Sequence, residues 1–139
     1  MQTYQGRCHC GALAYELRTP HQPATWPIRA CQCSFCRVHG ARTTSGPDAT
    51  VRFVIPDESK LHRYRFASRT ADFYVCHGCG AYVASVIDSP KGRFATLNVN
   101  LLTPPLDLPP STPMVYDSET PSQKLARREQ KWTPVIELA

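Results

Sequence analysis

Seven cysteines set in three short groups constrain this chain more than any other feature: Cys8-His9-Cys10, Cys31-Gln32-Cys33-Ser34-Phe35-Cys36 and Cys76-His77-Gly78-Cys79. In extended backbone, side chains two apart leave the same face. Cys31 and Cys33 therefore direct their sulfurs one way, and a tight turn returns Cys36 to them. Three thiolates from six residues suit a tetrahedral zinc ion whose fourth position is left for water or substrate. Cys8 and Cys10 share the period-two spacing, while Gly78 and Gly80 allow the backbone turns that bring Cys76 and Cys79 onto one metal. Two pairs close a four-cysteine structural site. Four ligands for a closed zinc and three for an open, reactive one use every cysteine, so two Zn2+ per chain are expected. Two other donor readings stay open. His39, three residues beyond Cys36, would close the three-cysteine site or shuttle a proton, and an iron held by four cysteines would serve electron transfer and colour the protein. His9 and His77, lying between ligand cysteines, are read as pointing away from the metal.

With 139 residues the chain reads as one domain, residues 1–139, small enough for metal to contribute to its stability. No apolar run approaches the ~18 residues of a membrane span, and the first residues lack the apolar stretch of a secretory signal. A cytoplasmic location, whose reducing conditions keep thiols free for metal, is expected, with no membrane partner. An odd cysteine count also argues against a disulfide framework. The formal charge of +5 overstates the basicity, because seven thiolates around two zinc dications bring it to about +2. No clustered Lys/Arg run carries interleaved aromatics, so no nucleic-acid partner is expected. A zinc-ribbon module binding protein or nucleic acid is kept as the alternative to an enzyme. Twelve of the 16 cations are arginines, the residue suited to gripping carboxylates in a planar fork. Arg29, Arg37 and Arg42, close to the central motif, are the candidates for that task.

Along the chain, residues 3–8 and 12–17 read as strands around a turn at Gly11, placing Cys8 and Cys10 at a hairpin end. Beyond Cys36 a short helical turn ends at Gly40, with Ser34 as its N-cap and its N–H groups aimed at the open site. Strand-like runs follow at 50–55, 61–66, 72–75, 82–87 and 94–99, and strand, knuckle, strand is the pattern of a zinc ribbon. Five prolines between 104 and 113 exclude helix and central strand and predict an extended surface crossing. Thr120, Pro121 and Gln123 then form a helix start, predicting a helix over 121–131 that stops before Thr133-Pro134. Leu125 and Trp132 are its expected apolar anchors. Arg127, Arg128 and Lys131 read as a solvated face, and Trp26 and Trp132 as core.

The ordered combination Gly6-Arg7-Cys8-His9-Cys10-Gly11-Ala12, Cys31-Gln32-Cys33-Ser34-Phe35-Cys36-Arg37 and Cys76-His77-Gly78-Cys79-Gly80 resembles the three signatures of the glutathione-dependent formaldehyde-activating enzyme family, also called the GFA or CENP-V domain family, over roughly residues 3–117. The resemblance implies an all-β fold of the β-tent type that contains the zinc ribbon, here followed by the short C-terminal helix. It also implies a structural zinc on Cys8, Cys10, Cys76 and Cys79, and a catalytic zinc on Cys31, Cys33 and Cys36. The implied activity is that of a carbon–sulfur lyase: condensation of formaldehyde with glutathione to S-hydroxymethylglutathione, or the reverse. The implied partner is a small thiol–aldehyde adduct, glutathione among them.

Overall fold

The computed structural model describes residues 1–136 and is mostly β-sheet with a short C-terminal helix. Strands β1 (Gln2–Arg7) and β2 (Ala14–Thr19) pair antiparallel, and β5 (Thr50–Val54) pairs with the other edge of β2. The remaining strands are β3 (Arg29–Cys31), β4 (Thr43–Thr44), β6 (Leu61–Tyr64), β7 (Asp72–Cys76), β8 (Tyr82–Ser89), β9 (Gly92–Asn98), β10 (Thr112–Met114) and β11 (Thr133–Pro134). Together they form a second sheet in the order β10-β3-β4-β9-β8-β7-β6, with β11 also pairing to β9. Helices α1 (Ser34–His39) and α2 (Pro121–Lys131) complete the regular structure, with 3-10 turns at Pro23–Thr25, Glu58–Lys60 and Val99–Leu101.

The main core holds residues from both sheets: Tyr15, Leu17 and Val51 from the first meet Val83, Val86 and Leu97 from the second. Strand β8 explains this arrangement, because six of its eight residues are buried and it carries β-branched and small side chains on both faces. Val83, Ala84 and Val86 join the main core, whereas Tyr82 packs beside Cys36 and Ile87 beside Trp132. Among the described residues no helix is long and apolar enough to cross a membrane.

Tyr15 locks the two sheets together. It is fully buried, its hydroxyl donates to the Asn98 carbonyl at 2.9 Å, and its ring lies over its register partner Gly6. A methyl at Gly6 would stand 2.3 Å from Tyr15 Cζ. A fully buried ring held by its own hydrogen bond cannot yield, so Gly6→Ala is expected to cost about 3 kcal/mol. Chemical denaturation of the metal-loaded protein measures this, and an unchanged midpoint would refute the packing argument.

The sequence reading holds for the hairpin, the strands flanking the knuckle and α2. The predicted box at Thr120 is present: Gln123 N–H donates to Thr120 Oγ1 and Thr120 N–H to Gln123 Oε1. The proline-rich crossing is extended as expected, and its end becomes β10, an edge strand parallel to β3, where Pro113 is tolerated. Three expectations are corrected. The N-cap of α1 is Cys33 and not Ser34, since Cys33 Sγ accepts the Cys36 N–H at 3.4 Å. That first-turn amide therefore serves a sulfur and is not offered to an anion. Leu125 is no anchor of α2, being 39% exposed, while Trp132, at 7%, is.

Candidate metal centres and the cavity beside them

The β1–β2 loop and the β7–β8 knuckle, 66 residues apart, bring the sulfurs of Cys8, Cys10, Cys76 and Cys79 within 4.8 Å of one another. The loop closes through Cys8 N–H to the Leu13 carbonyl, with Gly11 at φ 84° supplying the left-handed turn. In the knuckle, Gly80 takes φ 80° and donates to the Cys76 carbonyl at 2.9 Å. Backbone amides also solvate the sulfurs: Leu13 N–H donates to Cys8 Sγ and Gly78 N–H to Cys76 Sγ, both at 3.3 Å. The Cys8–Cys10 and Cys10–Cys76 sulfur separations are 3.8 and 3.5 Å. A tetrahedron with metal–sulfur bonds of about 2.3 Å has edges of about 3.8 Å, so these four donors fit one ion. Because the loop belongs to the first sheet and the knuckle to the second, such an ion would clip the sheets together.

The second group is local. Cys31 ends β3, Cys33 caps α1 and Cys36 lies in its first turn, and their sulfurs also fall within 4.8 Å of one another. Gln32 N–H donates to the Met114 carbonyl, which ties the segment between Cys31 and Cys33 to β10. The thiols share protons unequally. Hydrogen bonds from Cys31 and then Cys36 draw Cys33 down to about 2. The same contacts, Cys31 first, push Cys36 up. Negative charge therefore settles on Cys33 first, while Cys31 and Cys36 hold their protons more tightly. Among the described residues no fourth His, Cys, Asp or Glu joins this cluster. His39 is exposed, with Nδ1 2.9 Å from the Phe35 carbonyl and its ring against Phe35. His9 and His77 likewise stay outside the four-sulfur group.

The three sulfurs open into a cavity of about 330 Å³, within the range of small-molecule sites. Phe66, Phe73 and Trp132 give it apolar walls, and Tyr82 and Ser85 a polar floor whose hydroxyls lie 2.6 Å apart. Arg29, Lys124, Arg127 and Arg128 give it positive charge. Arg29 reaches it from β3, with Nη1 donating to Ser45 Oγ at 2.8 Å. Burial lowers the pKa of Arg29, and burial followed by Arg127 lowers that of Arg128 to about 10, so both remain cations at neutral pH. A larger cavity of about 390 Å³, bordered by Trp26, Ser45 and Asp48, also touches Arg29 but contains no cysteine.

The charged wall differs from the one expected. Arg29 belongs to it, but Arg37 and Arg42 do not: Arg37 is exposed on α1, and Arg42 Nε donates to Asn100 Oδ1 at 2.8 Å. Arg127 and Arg128 are not a solvated face, because both line the cavity. Arg127 forms two hydrogen bonds to Glu119, at 2.8 and 3.0 Å, and stacks 3.6 Å from the Tyr116 ring centre. A signal for this was present. Positions 124, 127, 128 and 131 fall on one helical stripe beside Trp132, and such a stripe marks the face by which a helix docks.

Arg127 holds the Glu119 carboxyl below its ordinary value of 4.5. A lowered folded-state pKa means that the pair stabilises the fold above the unfolded value and that this contribution is lost as pH falls through the folded one. Docking of α2 should accordingly loosen below about pH 4.5, seen as a shift in tryptophan emission, and Glu119→Gln should flatten that acid limb. An identical acid limb in the variant would remove the pair from the account.

A mostly β protein with one four-cysteine and one three-cysteine group, the latter facing a cavity, is thereby defined. The family model described as glutathione-dependent formaldehyde-activating enzyme (GFA) matches residues 3–118, and the chain belongs to that family. A crystal structure of a Rhodobacter sphaeroides protein, a structural-genomics target, is similar at 27% identity and a TM-score of 0.51, covering 95% of this chain and 99% of that one. A comparison with curated proteins gives no match. Helix α2 lies beyond the matched segment.

Proposed function

We propose that this protein is a zinc-dependent carbon–sulfur lyase of the glutathione-dependent, aldehyde-activating type, working in a reducing cytoplasmic compartment as a single domain over residues 1–139. Cys8, Cys10, Cys76 and Cys79 hold a structural zinc, and Cys31, Cys33 and Cys36 the catalytic one. The observation that carries the reading is a three-sulfur group that no fourth His, Cys, Asp or Glu joins among the described residues, opening into a cavity that has both apolar and cationic walls. When bound there, zinc supplies Lewis acidity that keeps a coordinating thiol in its thiolate form.

The remaining chemistry belongs to the chain. Phe66, Phe73 and Trp132 exclude water from one side of the cavity, which strengthens the charge interactions inside it. Arg29 and the cations of α2 attract the carboxylates of a peptide thiol and orient it. Tyr82 keeps its phenolic proton, because burial pushes its pKa up, so it places a dipole and no charge beside the sulfurs. In the condensation, a sulfur–carbon bond forms as the carbonyl π bond breaks, and the thiol proton ends on the new hydroxyl oxygen. The reverse reaction releases the aldehyde and the thiol.

The alternative, a non-catalytic module, would display its cations on an open face. Arg127 and Arg128 border the cavity instead, which favours the enzyme. The test is the rate at which glutathione and labelled formaldehyde exchange with S-hydroxymethylglutathione, followed by NMR with the zinc-loaded protein. Acceleration over buffer is expected. A rate equal to buffer, with other small aldehydes equally inert, would sink the enzyme reading.

A further inference from the structure

Arg128 is incompletely satisfied by the protein around it. Its Nη1 donates to Thr70 Oγ1 at 2.8 Å and its guanidinium sits 5.0 Å from the Trp132 ring centre, yet Nε is buried without a hydrogen-bond partner. A buried donor left unmet carries its full desolvation cost, and such an atom in a native structure calls for an explanation. Arg29, lining the same cavity, bonds a neutral hydroxyl and pairs with no carboxylate among the described residues. Glu119 is already engaged by Arg127. Asp117 also borders the cavity, but no hydrogen bond or ion pair joins it to either arginine. The cavity thus holds two arginines whose donors exceed the acceptors the protein offers them, beside three sulfurs whose thiolate charge a bound dication would reduce but not cancel.

The position of these groups in the chain adds to this. Lys124, Arg127 and Arg128 all come from α2, beyond the family-matched residues 3–118. A guanidinium presents its N–H groups as a planar fork that matches a carboxylate. Resting on the thiol-adduct reading above, we propose that Arg128, with Arg29 lining the same cavity, forms a carboxylate subsite that makes α2 the specificity-determining element of this enzyme. The carboxylate comes from the peptide thiol or from the aldehyde, so substrates in which neither part is acidic bind poorly.

Calorimetry on the zinc-loaded full chain separates the possibilities with four probes: S-methylglutathione, which keeps both carboxylates but has no thiol; its dimethyl ester; glyoxylate; and 2-mercaptoethanol. Arg128→Gln should weaken S-methylglutathione or glyoxylate at least about tenfold and leave 2-mercaptoethanol unchanged. Arg128→Lys, which keeps charge but not the fork, should recover only part of the loss, and thermal melts of both variants establish that they fold. A loss confined to S-methylglutathione, matched by the ester on the unmodified protein, assigns the carboxylate to the peptide. A loss confined to glyoxylate assigns it to the aldehyde. The proposal is overturned if neither acid binds, if both bind Arg128→Gln as tightly as the unmodified protein, or if 2-mercaptoethanol weakens equally. Should 2-mercaptoethanol not bind at all while S-methylglutathione binds through Arg128, the thiol reading fails and the subsite stands.

Discussion

Cys76→Ser is expected to abolish cooperative folding at 25 °C. Cys76 is buried, its sulfur lies 3.5 Å from that of Cys10, and the four-sulfur group joins a loop of one sheet to a knuckle of the other. In zinc-finger peptides a structural zinc contributes about 10–16 kcal/mol at pH 7. A domain of ordinary size is stable by only about 5–15 kcal/mol in total. The clip is thus comparable to the whole stability, and the oxygen of serine is a poor replacement for a thiolate on a soft site. Circular dichroism with heating should show a broad, non-cooperative change in the variant, and the same change in the unmodified protein after strong chelation. A sharp transition within a few degrees of the unmodified protein would mean that the four sulfurs do not staple the fold.

Cys33→Ala should behave in the opposite way, folding nearly normally and losing activity. Cys33 is partly exposed at the cavity, and beyond its proposed role as a ligand it only caps α1, a contribution of about 1 kcal/mol. Cys33→Ser restores a capping acceptor without a thiolate, so it should regain that stability and none of the activity. Loss of a metal that lowers the barrier by several kcal/mol corresponds to roughly a 10³-fold fall in kcat/KM. Activity within tenfold of the unmodified enzyme in both variants would remove the three-cysteine group from the chemistry.

The contrast between these two groups was legible in the sequence because ligand spacing is a local property. The extended Cys31–Cys33 pair and CxxC around glycine fix the direction of their sulfurs within a few residues, and the count of seven divides into four and three in few sensible ways. Cys8 and Cys10, however, converge in a turn closed by Gly11 N–H on the Cys8 carbonyl at 3.0 Å and not on the extended backbone expected. Helix α2 was equally legible at its start, where Thr120, Pro121 and Gln123 satisfy local orphan groups. Its docking was not. The helix meets the rest of the chain through Arg127, Arg128 and Trp132, and a cationic stripe reads as solvated unless its partners, Glu119, Tyr116 and Thr70, are known to converge on it. Arg42 shows the same limit in reverse: six residues from Cys36 in sequence, it turns to Asn100. Strands as short as β4 and β11, two residues each, carry no periodicity and exist only because neighbours are there to pair with them, β3 and β9 for β4 and β9 for β11. The Cys33 cap was hidden for a different reason, since a thiol at that position was already read as a ligand and its capping role was overlooked.

The central claim is that one chain carries two cysteine sites of unlike accessibility, one closed and one open. Elemental analysis of zinc per chain, on protein dialysed with and without millimolar glutathione, tests it most directly. The account predicts two zincs, with only the second labilised by glutathione and absent from Cys33→Ala, while the first stays bound in both. A single zinc in the unmodified protein, or two that ignore both glutathione and the loss of Cys33, would contradict it.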